Sequence, residues 1–205
     1  MNYINFYNQL KSFPAFTLTD INKLSGKVYY PQLFEWQKKG YIKRIANSLF
    51  VFEDTNLDEM KLFYLANRIY EPSYISLESA LSYYGFIPEA VYNITSVSTK
   101  KTNIFNNQGI VFSYKTIKYN LNWGYNLVPW ENTIIKMAEP EKALLDYFYL
   151  NAKIKTLDHI YGLRFNNYSI NEKVNWEKLA NYLSLFNNKS LSKRINLLKE
   201  WLKNA

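Results

Sequence analysis

Few side chains in this chain are spaced for bond-making chemistry. Glu139-Pro140-Glu141-Lys142 and Glu59-Met60-Lys61 put carboxylates beside a lysine, the residue types that metal-dependent nucleases use around a phosphate. The first lacks the Glu-x-Lys gap. The second has it, but opens a helix, where acidic groups suit the positive end of the helix dipole. Neither has a partner aspartate that spacing alone can place, so both read as helix starts. Ser76 heads a polar block and reads as a helix cap rather than a nucleophile. The chain has one histidine, His159, and no cysteine. Disulfide scaffolds, thiolate metal sites and cysteine nucleophiles are thereby excluded. No glycine-rich phosphate loop is present, and no motif joins a nucleophile, a base and a stabilising group. The expectation is a non-enzyme with no catalytic residue, no metal site and no cofactor.

What remains is binding. The formal net charge is +8, from 25 basic and 17 acidic side chains, which favours a polyanionic partner. The abundance of Asn, Lys, Ile, Tyr and Phe is also what an A/T-biased genome yields, but such a bias spreads charge evenly. Here residues 1–55 carry 7 basic and 4 acidic groups, residues 56–150 carry 8 and 9, and residues 151–205 carry 10 and 4. The excess sits at the two ends. In the first stretch the candidate DNA contacts are Lys27, Tyr30, Gln32 and Lys39 around a helix from Pro31 to Lys39, with Lys43, Arg44, Asn47 and Ser48 on a following hairpin. Gln32, near the helix start, can pair with adenine, and Tyr30 can meet a phosphate or a thymine methyl. Cations on the hairpin would meet the backbone and add affinity without sequence choice. A second candidate surface for a partner or nucleic acid comprises Lys100, Lys101, Arg164, Lys193, Arg194 and Lys199. A solvated face explains those lysines and arginines equally well.

The elements that must position these groups follow from the apolar pattern. The 205 residues suggest one or two domains, and Glu53-Asp54-Thr55-Asn56 is the best joint, dividing 1–55 from 56–205. Ile4, Tyr7 and Leu10 fit one face of a first helix, which Phe13-Pro14 ends. Thr17-Leu18-Thr19-Asp20 has capping-box form and opens a second helix. Ser25-Gly26 turns the chain, Pro31 opens a third helix with Leu33 and Trp36 inward, and Gly40 stops it. Two strands then flank Ala46-Asn47-Ser48. This order reads as a winged helix-turn-helix. Beyond the joint, Asn56 is placed to cap a helix to Ile69 and Ser76 one from Leu77 to Tyr84. Strand-like runs occupy 93–99, 110–114, 126–129 and 133–137, with a polar turn at Asn106-Asn107-Gln108-Gly109. Helices follow at 141–151, at 176–186 capped by Asn175, and at 191–203 capped by Ser190. The fold class is therefore α+β: an N-terminal winged helix-turn-helix, then a mixed α+β domain with a small, mostly antiparallel sheet and C-terminal helices.

Three ordered blocks carry a resemblance. Tyr74-Ile75-Ser76-Leu77-Glu78-Ser79-Ala80-Leu81-Ser82-Tyr83-Tyr84-Gly85-Phe86-Ile87-Pro88-Glu89, then Ile94-Thr95-Ser96-Val97-Ser98-Thr99-Lys100-Lys101, then Ala138-Glu139-Pro140-Glu141-Lys142-Ala143-Leu144-Leu145-Asp146 resemble the signature of the AbiEi antitoxin family. With the helix-turn-helix before them, they account for residues 15 to 150. The resemblance implies an antitoxin and transcriptional regulator of a type IV toxin–antitoxin pair in viral defence. Its winged helix would bind double-stranded DNA at its own promoter and repress the operon. Its second domain would counteract a nucleotidyltransferase-like toxin, functionally and not necessarily by contact. Residues 151–205 are less diagnostic, so a stand-alone regulator, or an RNA-binding or protein-interaction module without operator specificity, remains a competing reading. No run reaches the ~18 apolar residues of a membrane span, so a cytoplasmic protein with no membrane partner is expected.

Overall fold

The structure is a computed structural model, and it describes residues 1–24, 28–88, 93–107 and 109–204. It begins with helix α1 (Tyr3–Leu10), strand β1 (Phe16–Thr17), helices α2 (Leu18–Asn22) and α3 (Tyr30–Lys38), and strands β2 (Ile42–Ala46) and β3 (Leu49–Phe52). The three strands form an antiparallel sheet in the order β1-β3-β2. The expected capping box is present: the Thr17 hydroxyl accepts the Asp20 N–H (3.2 Å), and the Asp20 carboxylate accepts the Thr17 N–H (2.9 Å). Leu33 and Trp36 point inward, and Gly40, at φ 70°, ends α3. On α1 the inner face differs from expectation. Phe6 and Leu10 are buried while Ile4 is exposed, because an aromatic at position 6 fills the space against Trp36 and Phe16, with ring centroids 4.6 and 5.5 Å away.

The chain continues through α4 (Glu59–Ile69), β4 (Ser73–Ile75), α5 (Leu77–Tyr83), β5 (Asn93–Ser98), β6 (Asn103–Asn107), β7 (Ile110–Thr116), a 3-10 turn (Tyr119–Leu121), β8 (Tyr125–Trp130) and β9 (Thr133–Ala138). Helices α6 (Pro140–Leu150), α7 (Leu157–Gly162), α8 (Asn167–Lys173), α9 (Trp176–Phe186) and α10 (Lys189–Asn204) follow. The α+β class holds, but the second sheet is larger than expected and mixed, with three antiparallel strand pairs and two parallel ones. It has six strands in the order β6-β7-β5-β4-β9-β8, with β5–β7 and β4–β9 parallel. The short central strand β4 explains the difference. Its three residues are all buried, so they show no alternation in the sequence.

Three caps differ as well. Asp58, not Asn56, accepts the Lys61 N–H and starts α4 (2.8 Å). Asn188, not Ser190, accepts the Leu191 N–H in the first turn of α10 (2.9 Å). At α5 the Ser76 hydroxyl is turned elsewhere, and Thr95 from β5 accepts the Ser79 N–H (2.9 Å). Asn175 caps α9 as expected (3.0 Å).

Two apolar clusters result, and β3 belongs to both. Phe50 and Phe52 lie with Phe6, Leu10, Trp36 and Ile42. Leu49 and Val51 join Ile45 in the larger cluster that contains α4, the six-stranded sheet and the later helices. Alternation across the pleat sends successive side chains to opposite faces, so Leu49-Phe50-Val51-Phe52 is continuously apolar because both faces are covered.

Several tyrosines are buried deeply enough to hold their protons. Burial pushes Tyr74, Tyr84 and Tyr114 above the ordinary phenol value of 10.0. Partial burial, helped by a hydrogen bond to Glu139, pushes Tyr182 up to about 12. A folded-state value above the unfolded one gives stability that is full below pH 10 and is lost as pH rises through the folded value. Absorbance of tyrosinate at alkaline pH is therefore expected to show a late-ionising group that includes Tyr74, Tyr84 and Tyr114, whose ionisation coincides with loss of helical circular dichroism.

Candidate nucleic-acid interface

Helix α3 buries Leu33 and Trp36 and leaves its other faces bare. Tyr30 is 71% and Phe34 66% exposed. Tyr30, Phe34 and Gln37 recur at steps of four and three, which sets them on one stripe. That stripe faces the β2–β3 hairpin across a groove of about 330 Å³ whose hairpin side carries Arg44, Asn47 and Ser48. Residues 28–50 hold four basic side chains and one acidic one, Glu35. The groove is thus aromatic along one wall, with Arg44 as the cation in its lining.

The sequence candidates take unequal places. Tyr30 lies on the stripe. Gln32 does not reach outward: its Oε1 accepts the Tyr29 N–H (3.0 Å) and its Nε2 donates to the Met1 carbonyl (3.1 Å). Both ends of the amide are engaged. Lys39 is exposed where α3 ends. Lys43 is half-buried and paired with Glu53 at 2.7 Å. Arg44 is exposed, and its Nε donates to the Asn47 carbonyl. Asn47 occupies the turn at φ 49°, and its amide donates to the carbonyl of Ile69 at the end of α4 (3.3 Å). Ser48 is half-buried in the groove. On the other side of the hairpin, the Asn107 amide of β6 donates to the Arg44 and Ile45 carbonyls (2.5 Å each). The hairpin is therefore held by the larger sheet and by α4. Lys27 and the Ser25-Gly26 turn lie outside the described residues, as do Glu89 of the first resemblance block and Gln108. Sequence reasoning missed Phe34 and Gln37, which the helical repeat from Tyr30 would have found.

The second candidate set is dispersed over the loop after β5, the turn after α7, and α10. Lys100 lies over the Tyr70 ring (5.3 Å to the centroid), and the Lys101 carbonyl accepts the Tyr70 hydroxyl (2.9 Å). Arg164 is exposed at φ 53°, and Lys193 is exposed on α10. Lys199 lies over Trp176 (5.6 Å). Arg194 differs from the expected surface cation. It is half-buried and donates to the Phe148 carbonyl (2.8 Å), closing the end of α6. Among the described residues no group of three His, Asp or Glu side chains is placed to hold a metal. His159 bonds through Nδ1 to the Thr156 hydroxyl (2.6 Å) at the start of α7. Among the described residues no helix is long and apolar enough to cross a membrane.

The blocks that carry the family resemblance meet in the core. Lys142 and Asp146, one turn apart on α6, are both fully buried and ion-paired. Asp146 also accepts the Tyr74 hydroxyl (2.8 Å) and the Ser76 hydroxyl (2.9 Å). Lys142 donates to the Tyr74 oxygen (2.7 Å) and is surrounded by the Trp123, Phe186 and Tyr74 rings. Burial pulls the Lys142 ammonium below the ordinary lysine value, against the pull of Asp146. The neighbouring carboxylates are also committed. Glu139 accepts the Tyr182 hydroxyl (2.6 Å) and pairs with Lys178 (3.0 Å), while Glu141 accepts the Asn175 N–H (2.8 Å). The aspartate that spacing alone did not place beside Lys142 is thus Asp146, and an i,i+4 pair inside an apolar helix was its signal. Glu59-Met60-Lys61 is also engaged in packing: Lys61 lies over Trp130 (4.8 Å) and near Glu131 (3.8 Å).

No family model matches the chain, and no curated protein matches it.

Removing one partner of a buried pair strands the other. Asp146→Ala is expected to lose about 3–5 kcal/mol in denaturant unfolding. Asp146→Asn, which keeps an acceptor for Tyr74 and Ser76, is expected to lose less.

Proposed function

We propose that the chain is a DNA-binding transcriptional regulator. Residues 1–55 act as a winged helix-turn-helix and occupy the promoter of their own operon. The observation that carries this reading is the succession of α2, α3 and the β2–β3 hairpin, with the outward stripe of α3 bare beside Arg44. In such a module the second helix of the pair enters the major groove and the hairpin follows the phosphate backbone. The cations around the groove supply the sequence-independent part of the affinity. The resemblance of the three blocks supports the fuller reading. On it, residues 56–205 serve as the antitoxin part of a type IV pair, counteracting a nucleotidyltransferase-like toxin, in a chain that is not itself an enzyme.

A titration of the full chain on its own upstream region, against random DNA of equal length at two salt concentrations, tests the regulator. A preference of about a thousandfold or more is expected. Equal, steeply salt-dependent binding to both duplexes overturns it.

The two hairpin cations are expected to differ. Arg44→Glu should weaken binding to operator and random DNA alike and reduce the salt slope by about one. Lys43→Glu should have the smaller effect, because Lys43 is already neutralised by Glu53. Equal losses in the two variants, measured in the same titration, would place Lys43 on the phosphates instead.

A further inference from the structure

The reading wall of the groove is aromatic where a DNA-reading helix more often carries polar and cationic groups. Phe34 has no atom that can donate or accept a hydrogen bond, yet 66% of it faces water from the middle of α3. Exposing such a ring is unfavourable by its apolar area. Base edges in the major groove offer donors, acceptors and a single apolar group, the C5 methyl of thymine. A benzyl side chain is complementary to that methyl and to nothing else on those edges. Tyr30, one turn earlier, continues the apolar surface through its ring. Gln37 is the polar member of the stripe, and a carboxamide pairs with the N6 and N7 positions of adenine. Gln32, the other amide on the helix, is engaged by Tyr29 and Met1. Arg44 faces across the groove, and at the end of α3 Lys38 and Lys39 outnumber Glu35, the one acidic group on the helix. That charge suits a polyanion better than an apolar peptide.

We infer that α3 recognises thymine methyl groups through Phe34 and Tyr30, so that the preferred duplex is one whose A·T pairs present those methyls in the major groove under the helix. The inference rests on the DNA-binding reading and names the chemistry by which the site would choose its sequence. Deoxyuridine in place of thymidine removes the methyl and keeps every donor and acceptor, so it isolates this contact.

The test compares the upstream-region duplex made with thymidine and the same duplex made with deoxyuridine, each titrated with the full chain and with Phe34→Ala and Phe34→Leu. Withdrawing a methyl from an apolar contact weakens binding about fourfold, so two contacted thymines give a loss of about tenfold or more. The wild-type chain is expected to show that loss on the upstream duplex and no difference between thymidine and deoxyuridine forms of a random duplex. Phe34→Ala is expected to bind more weakly and to keep only the share of the thymidine preference that Tyr30 supplies, about fourfold or less, and Phe34→Leu to keep more of it. Because Phe34 is exposed, neither variant disturbs the core, which circular dichroism verifies. If the wild-type chain prefers its upstream region to random DNA but binds both forms equally, methyl recognition is overturned and the DNA-binding reading stands. If the thymidine preference is undiminished in Phe34→Ala, the assignment to Phe34 is overturned. If upstream and random DNA bind alike, both readings fall together.

Discussion

The ion pair between Lys142 and Asp146 constrains the arrangement of the larger core. Two charges removed from water are tolerated only when their remaining bonding capacity is met nearby. Here Tyr74 of β4, Ser76 at the start of α5 and both charged groups of α6 close on one another. The junction of β4 with α5 and the distant helix α6 must therefore meet at one point, in one register. The constraint reaches further, to Gly124 just before β8. A Cβ there would come within 3.2 Å of the Lys142 side chain, and the residue sits at φ 73°. A larger residue at that place would be strained in its backbone and would press on the buried lysine. The polar run Glu139-Pro140-Glu141-Lys142, which invites a catalytic reading, is thus occupied with holding α6, α9 and the sheet together.

A second dependence runs through the β2–β3 hairpin. Its two faces feed two different clusters, its turn is tied to α4 through Asn47, and its outer carbonyls are tied to β6 through Asn107. The hairpin's position beside α3 is therefore set from both sides. The groove between them is a property of the whole chain and not of the first fifty residues.

Much of the local structure was legible. Thr17 with Asp20, Asn175, Leu33 with Trp36, and the positions of β2, β3, β5, β7, β8 and β9 follow from caps, helical repeat and alternation, all signals confined to a few residues. Several misreadings involve partners distant in sequence. Ser76 looked like a cap because the hydroxyl of Thr95, which does that work, lies on another strand. Strand β4 was hidden because burial on both faces removes alternation. Asn56 and Ser190 lost their roles to capping residues two positions away, which is the ordinary latitude of helix ends. At the groove, Tyr30 and Arg44 were legible from type and place. Gln32 looked free because nothing local announces a hydrogen bond to Met1. Phe34 was passed over because an apolar residue on an amphipathic helix is normally counted as core.

The double-sided strand β3 also bears on how the chain is made. Synthesis delivers residues 1–52 before the material that covers Ile45, Leu49 and Val51 has been translated. Until α4 and the six-stranded sheet arrive, the nascent hairpin presents an apolar ridge to its surroundings, open to chaperones or to another nascent chain. A shortened gene product ending near Phe52 would carry that ridge permanently. Separating residues 1–52 for study by themselves therefore calls for polar replacements on one face of β3 and not merely a well-chosen end point.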